Sequence, residues 1–278
     1  MIPESKEARK EIRRDDLRRI AEGLECALDV IRGLAPGEIT VEYKGENDPV
    51  TVIDRTVDER LRELLPRDGE GWLSEETADD PVRLEKRRVW IVDPLDGTRG
   101  FIDKVPEWCV SIGLVEDGRA VAGGICNPAT GETFLGSIET GVTLNGKPSE
   151  RRSLPQPEDA VVLASRSETK RGEWERFREA PFTVRPMGSV AYKLACVAGG
   201  LADATWTLVP KHEWDVAAGA ALVLASGGVV STLAGEPPVF NRRSPKLDGI
   251  GAFSAGSDRL LAIFLENVGL SAPRRGHP

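Results

Sequence analysis

The sequence is poor in the residues from which most transition-metal and redox sites are built. Its 278 residues include two histidines and four cysteines. Cys26, Cys109, Cys126 and Cys196 stand far apart and form no Cys-x-x-Cys pair, which argues against a zinc site of ordinary spacing and a dithiol redox motif. Isolated in apolar or mixed runs, they are expected as free thiols in a reducing compartment. No apolar run approaches the roughly 20 residues that a membrane helix needs, and Met1–Arg19 is polar and charged, so neither a membrane span nor a signal peptide is expected. Positive charge is also short. Lys and Arg number 37 against 45 Asp and Glu, a formal balance of −8 with a pI near 5.1. Such a chain has no general attraction for nucleic acid or anionic lipid, and it reads as cytoplasmic. An anionic substrate would need a local reversal of charge, which bound divalent cations can supply.

What is present is enough apolar residue for a sizeable core, 40% of the chain, with no need of disulfides. Ile12, Ile20, Leu24, Ala27, Leu28 and Ile31 recur at roughly helical spacing and predict a helix over 5–34, stopped by Gly33 and Pro36. A short strand is expected over Ile39–Tyr43. A second helix is expected over Asp54–Leu65, with Val57, Leu61, Leu64 and Leu65 on one face. Val89–Val92 reads as a buried strand, followed by a meander of Val110–Val115, Ala120–Asn127 and Glu132–Gly136. The charged, proline-bearing stretch Arg151–Asp159 marks a boundary. Beyond it, strands at Ala160–Ser165, Ala204–Leu208 and Gly228–Ser231 alternate with helices over Lys170–Arg178, Ser189–Ala198 and Asp215–Ser226. The expectation is an α+β first half, 1–150, and an α/β second half, 151–278. The tail Ser271–Pro278 is expected to fray.

Four acidic clusters sit at the ends of these elements: Asp48–Asp54 (DPVTVID), Leu73–Thr77 (LSEET), Trp90–Thr98 (WIVDPLDGT) and Trp214–Gly219 (WDVAAG). Singly, most have a bland explanation. An Asp at a helix start is usually a cap, and Glu75-Glu76 suits a solvated loop. Asp93 differs, because a carboxylate that directly ends the apolar run VWIV is at risk of burial and needs a cation or hydrogen bonds to stay ionised. Asp96 follows across a proline-bearing turn and can point back to the same place. Two converging carboxylates with no nearby His or Cys call for a hard cation such as Mg²⁺. The turn Gly97-Thr98 opens a short helix whose free N–H groups suit a phosphate. A cation beside an anion seat points to phosphoryl transfer to water, with two metals about 3.5–4 Å apart clamping the attacking and leaving oxygens.

DPVTVID, LSEET, WIVDPLDGT and WDVAAGAALVLASGG, in that order over Asp48–Gly228, resemble the inositol monophosphatase superfamily, the lithium-sensitive Mg²⁺ phosphatases. The resemblance implies a layered αβαβα sandwich of two closely packed subdomains. Residues 1–150 would carry most metal ligands, and 151–278 would close the substrate site. It implies one Mg²⁺ on Glu75, Asp93 and the Leu95 carbonyl, and a second on Asp93, Asp96 and Asp215, with Glu75 also placed to help a third. Thr98, hydrogen-bonded to Asp54, would orient or activate the attacking water, and the Gly97 and Thr98 amides would hold phosphate. Gly188, Ser189 and Val190 would line the substrate pocket, with Arg166, Lys193 and Lys211 as candidates for a second phosphate or a ribose-linked group. Li⁺ inhibition and a homodimer are further implications.

The stretch Asp96–Phe101 (DGTRGF) resembles bacterial 3'(2'),5'-bisphosphate nucleotidases more than inositol phosphatases, although Gly100 replaces an acidic residue. Ala202-Asp203 is followed by no carboxylate until Glu213, where inositol-type enzymes carry a sugar-binding Glu. These features lean toward adenosine 3',5'-bisphosphate as substrate, with an inositol-1-phosphate or broad sugar-phosphate phosphatase as the alternative. A catalytically silent metal- or phosphate-binding module is the reading from a different class. A covalent aspartyl-phosphate enzyme is rejected, because Asp93 and Asp96 are separated by two residues and form no Asp-x-Asp.

Overall fold

A computed structural model describes residues 5–33, 41–45, 48–150 and 156–269 of the chain. Its first helix, α1 (Lys6–Gly33), buries Ile20, Leu24 and Ala27 at helical spacing. The second, α2 (Val52–Leu64), buries Ile53, Val57 and Leu61. Between them lies a hairpin of β1 (Val41–Gly45) and β2 (Asp48–Thr51), where a single strand was expected. Ile39, Pro36, the segment 151–155 and the tail lie outside the described residues.

Seven strands follow in a sheet of unbroken sequence order: β3 (Gly71–Ser74), β4 (Arg88–Asp96), β5 (Cys109–Glu116), β6 (Arg119–Asn127), β7 (Glu132–Ser137), β8 (Gly141–Leu144) and β9 (Lys147–Pro148). β3 pairs with β4 in parallel and the other pairs are antiparallel. The expected meander is therefore present, with β3 added before it and β8 and β9 after. Strand β4 decides what this sheet can do. Trp90 and Val92 join the core against α1 and α2, while Val89 and Ile91 join the core on the opposite face, as the two-residue period requires. Asp93 continues the second series. The register then shifts between Asp93 and Asp96, which accommodates Pro94, a residue unable to donate to the ladder.

Helix α3 (Thr98–Ile102) leaves the end of β4, and α4 (Arg166–Lys170) follows the first strand of a second sheet. That sheet runs β11-β10-β12-β16-β14, with β10 (Val161–Ser165), β11 (Thr183–Met187), β12 (Ala204–Trp206), β14 (Val229–Thr232) and β16 (Ile250–Phe253). β13 (Lys211–His212) and β15 (Lys246–Leu247) pair separately. The three expected strands are present as β10, β12 and β14, with α5 and α6 between them. β11 and β16 are additional, and β10 is parallel to both neighbours while β16 is antiparallel to β12 and β14. The expected helix over Lys170–Arg178 is also broken. Gly172 at φ 80° follows the end of α4, and a 3-10 turn occupies Glu175–Phe177.

Helices α5 (Val190–Ala198) and α6 (Glu213–Ala225) fill the space between the sheets. On the far side, α7 (Asp258–Gly269) closes an aromatic core in which Trp206 packs against Trp174, Phe177, Phe253 and Phe264. The layers run helices, sheet, helices, sheet, helices: an αβαβα sandwich. No described helix is long and apolar enough to cross a membrane.

The central helix sits unusually close to the first sheet. A Cβ at Gly123 would lie 2.4 Å from the Ala218 carbonyl oxygen, and one at Gly113 would lie 2.7 Å from the Ala218 nitrogen. Backbone thus rests on backbone, and α6 carries its first turn to the end of β4. Gly123→Ala is expected to cost about 1–3 kcal/mol by overpacking. Equilibrium urea denaturation checks it, with a lower midpoint and an unchanged slope as the result.

Candidate active site

Two of the acidic residues are placed by the same local device. Asp54 and Asp215 are the third residues of α2 and α6, and each reaches back to the backbone N–H that precedes its helix. Asp54 Oδ2 accepts from the Thr51 N–H at 2.7 Å and the Thr51 hydroxyl at 2.6 Å. Asp215 Oδ2 accepts from the His212 N–H at 2.9 Å. Neither is itself the cap; each is the acidic half of a capping box. One oxygen is fixed, and the other remains for different work. In Asp54 that second oxygen, Oδ1, accepts from the Thr98 hydroxyl at 3.2 Å.

Strand β4, its terminal turn and α6 then bring three carboxylates together. One oxygen from each of Asp93, Asp96 and Asp215 lies within 4.8 Å of the others. Asp93 and Asp96 are buried and Asp215 is partly so. Asp93 Oδ1 accepts from the Leu95 N–H at 3.0 Å. Asp96 Oδ2 accepts from the Ser189 hydroxyl at 2.7 Å and the Ala191 N–H at 2.6 Å. Burial, then the neighbouring Glu75, Asp96 and Asp215, push the Asp93 carboxyl well above its usual range. Burial and Asp96 push Asp215 up to about 7. A cluster of hard oxygens short of positive charge, with no His or Cys among its donors, fits a cation such as Mg²⁺.

The rest of the wall is built around this cluster. Gly97 adopts φ 94°, and a Cβ there would lie 2.9 Å from the Glu107 carbonyl oxygen. Both facts require glycine at the turn. Thr98 starts α3 and also donates to the Leu95 carbonyl at 3.0 Å. Glu75, Asp93, Leu95, Asp96, Gly97, Thr98, Arg166, Gly188, Ser189, Val190, Lys193, Lys211 and Asp215 all line one cleft of about 630 Å³. Asp54 stands behind Thr98 rather than on the wall. A hollow of similar size lies along α1, but its charges pair among themselves, as Arg67 with Asp15 and Arg88 with Asp16.

The three cations singled out from the sequence each have a partner. Arg166 grips Glu107 at 2.5–3.2 Å. Lys193 is buried, and its ammonium donates to the Ser189 carbonyl at 2.7 Å; burial lowers it to about 8. Lys211 lies 3.7 Å from the buried Glu168. Glu107 and Glu168 were not anticipated. A charged residue between Pro106 and the buried Trp108 was a usable signal for Glu107, which also accepts the Gly188 N–H at 2.6 Å. Glu168 resembles any glutamate in the first turn of a helix. Glu213 is buried and accepts the N–H groups of Asn241 and Arg242, so it lies off the cleft wall.

The sequence profile of the Inositol monophosphatase family matches residues 14–261. An inositol-1-monophosphatase of Caulobacter vibrioides is 34% identical over 226 residues, covering 76% of this chain and 88% of the relative. Inositol monophosphatase 3 of Solanum lycopersicum is 36% identical over 205 residues, covering 68% and 75%. Among solved structures, the extragenic suppressor protein suhB of Bartonella henselae aligns with a TM-score of 0.76 at 26% identity, covering 94% of this chain and 98% of that one. The chain belongs to the inositol monophosphatase family, whose members are metal-dependent phosphatases acting on phosphate monoesters.

A carboxyl whose folded pKa is raised favours the fold at low pH, and that contribution is lost as pH rises out of the ordinary carboxylate range. Asp93→Asn is therefore expected to raise the melting temperature of metal-free protein at pH 7, and to remove most of any further rise that an added divalent cation gives the native chain. Scanning calorimetry with and without Mg²⁺ checks both signs.

Proposed function

We propose that this chain is a Mg²⁺-dependent phosphatase that hydrolyses the phosphate monoester of a small polyol, with inositol 1-phosphate as the first substrate to test. The observation that carries this reading is the convergence of Asp93, Asp96 and Asp215 beside the Gly97–Thr98 turn, on one cleft wall. Glu75, Asp93, the Leu95 carbonyl, Asp96 and Asp215 would hold the cations, two or three in number. Bound there, divalent cations would supply the positive charge that draws in a phosphate dianion and eases loss of a proton from water.

The remaining steps belong to the chain's own groups. The amides of Gly97 and Thr98, at a helix start with no intrahelical acceptors, hold phosphate oxygens. The Thr98 hydroxyl orients the attacking water. Asp54, its pKa raised by burial against the hydrogen bonds from Thr51 and Thr98, receives the proton through that hydroxyl. In this reading the 1–150 half supplies the cation ligands other than Asp215, and the 151–278 half closes the cleft over the alcohol part of the substrate.

Two observations favour a polyol over a bisphosphate nucleotide. The relatives at 34% and 36% identity are named inositol monophosphatases, which lends nothing to the nucleotidase lean of the Asp96–Phe101 stretch. The cations set aside for a second phosphate are each engaged by a carboxylate or a carbonyl.

Mg²⁺-dependent phosphate release, measured side by side on inositol 1-phosphate and adenosine 3',5'-bisphosphate, tests the reading. The expected result is a kcat/KM at least about tenfold higher for inositol 1-phosphate, a difference of about 1.4 kcal/mol in transition-state binding. Asp93→Asn should abolish nearly all turnover. A preference for the nucleotide would overturn the substrate, and no release from any monoester in a broad panel would overturn the reaction.

A further inference from the structure

Ser189 occupies a conformation that an L-residue adopts only when its surroundings insist. It sits at φ 52° and ψ 125° as the N-cap of α5, outside the comfortable regions of the backbone map. Its hydroxyl lies 3.4 Å from the buried Cys109 thiol, and three further contacts hold it. Its hydroxyl accepts the Tyr192 N–H at 3.0 Å and donates to Asp96 Oδ2 at 2.7 Å. Its carbonyl receives the Lys193 ammonium at 2.7 Å. The same ammonium makes a longer contact, 3.5 Å, to the carbonyl of Met187. Lys193 is 1% exposed and forms no ion pair with a carboxylate among the described residues. A buried ammonium must be satisfied by hydrogen bonds, and here the acceptors are two backbone carbonyls that bracket Gly188.

The consequence falls on Asp96. Of the two donors to its Oδ2, the Ser189 hydroxyl comes from the turn that Lys193 ties down, and the Ala191 N–H at 2.6 Å comes from the first turn of α5 that this turn leads into. We propose that Lys193 is a positioning residue for the cation site: it clamps the Met187–Ser189 turn, which holds Asp96 Oδ2 and so presents Oδ1 to the cation. Its role is thus to shape a ligand rather than to bind a substrate phosphate. This rests on the reading of Asp96 as a cation ligand. Supporting partners of metal ligands typically account for about 10–100-fold in metal affinity.

Charge and geometry predict opposite signs for the same substitution. By charge alone, removing a cation from beside three carboxylates would tighten Mg²⁺ binding. If Lys193 acts through the turn, Lys193→Met weakens it. Mg²⁺ titration calorimetry on the full chain, without substrate, reads this directly. The expected result is about tenfold weaker binding for Lys193→Met and for Ser189→Ala, with the double variant no weaker than the worse single. Lys193→Gln keeps an N–H donor without the charge and should lose less than Lys193→Met. It carries the comparison if the methionine variant does not fold.

Unchanged or tighter Mg²⁺ binding in the Lys193 variants would overturn the proposal and make Lys193 an anion-binding group, with the loss appearing in KM for the ester. Strictly additive losses at 189 and 193 would overturn it too. Failure of the native protein to bind Mg²⁺ would instead strike the proposed function beneath it.

Discussion

Repulsion among the carboxylates of Asp93, Asp96 and Asp215 is the force against which this structure is assembled. Were all three ionised, unit charges no more than 4.8 Å apart would repel by about 3.5 kcal/mol per pair at an effective dielectric of about 20. Three such pairs approach the whole stability of an ordinary domain, about 5–15 kcal/mol. The chain withstands this by mounting the carboxylates on two rigid elements, β4 and α6. Asp93 and Asp96 belong to strand β4, on either side of its register shift, and Asp215 belongs to a helix whose backbone rests on Gly113 and Gly123. None can swing away without breaking hydrogen bonds: Asp93 accepts from the Leu95 N–H, Asp96 from Ser189 and Ala191 at the start of α5, and Asp215 from the His212 N–H. Without a cation, burial and this repulsion push carboxyls toward their protonated forms, Asp93 well above its usual range and Asp215 up to about 7, and a bound cation relieves it.

Asp54 and Asp215 show how one local motif serves two ends. A capping box normally only satisfies orphan amides at a helix start. Here it also locks a carboxylate's orientation, leaving one oxygen of Asp54 for Thr98 and one of Asp215 for the cluster. Other groups around the cleft follow a similar economy. Arg166 is neutralised by Glu107 and Lys211 by Glu168, so the wall beyond the acidic cluster carries little unpaired charge from these residues.

Much of this could be read from the residues, because the informative patterns were local. The apolar run before Asp93, the Pro-Leu-Asp-Gly-Thr turn and the alanine-rich helix after Asp215 announce a buried strand, a sharp exit and a tightly packed helix. The family motifs added Glu75 and the pairing of Thr98 with Asp54. What was not legible depended on contacts distant in sequence. Lys193 lines the cleft, but its ammonium is taken by a backbone carbonyl in a turn whose positive φ has no glycine to betray it. Arg166 was a candidate for a second phosphate, and the Glu107 that takes up its guanidinium lies 59 residues away. The helix expected over Lys170–Arg178 had suitable composition, and Gly172 at positive φ overrode it. The antiparallel β16 likewise depends on partners, β12 and β14, that no local pattern names.

The most direct measurement is a crystal structure grown with Mn²⁺, a hard divalent cation that scatters anomalously where Mg²⁺ does not. The account predicts anomalous density between Asp93, Asp96 and Asp215 at neutral pH, with Asp96 Oδ2 still held by Ser189 and Ala191. No density there, with the three carboxyls drawn together by shared protons instead, would contradict it.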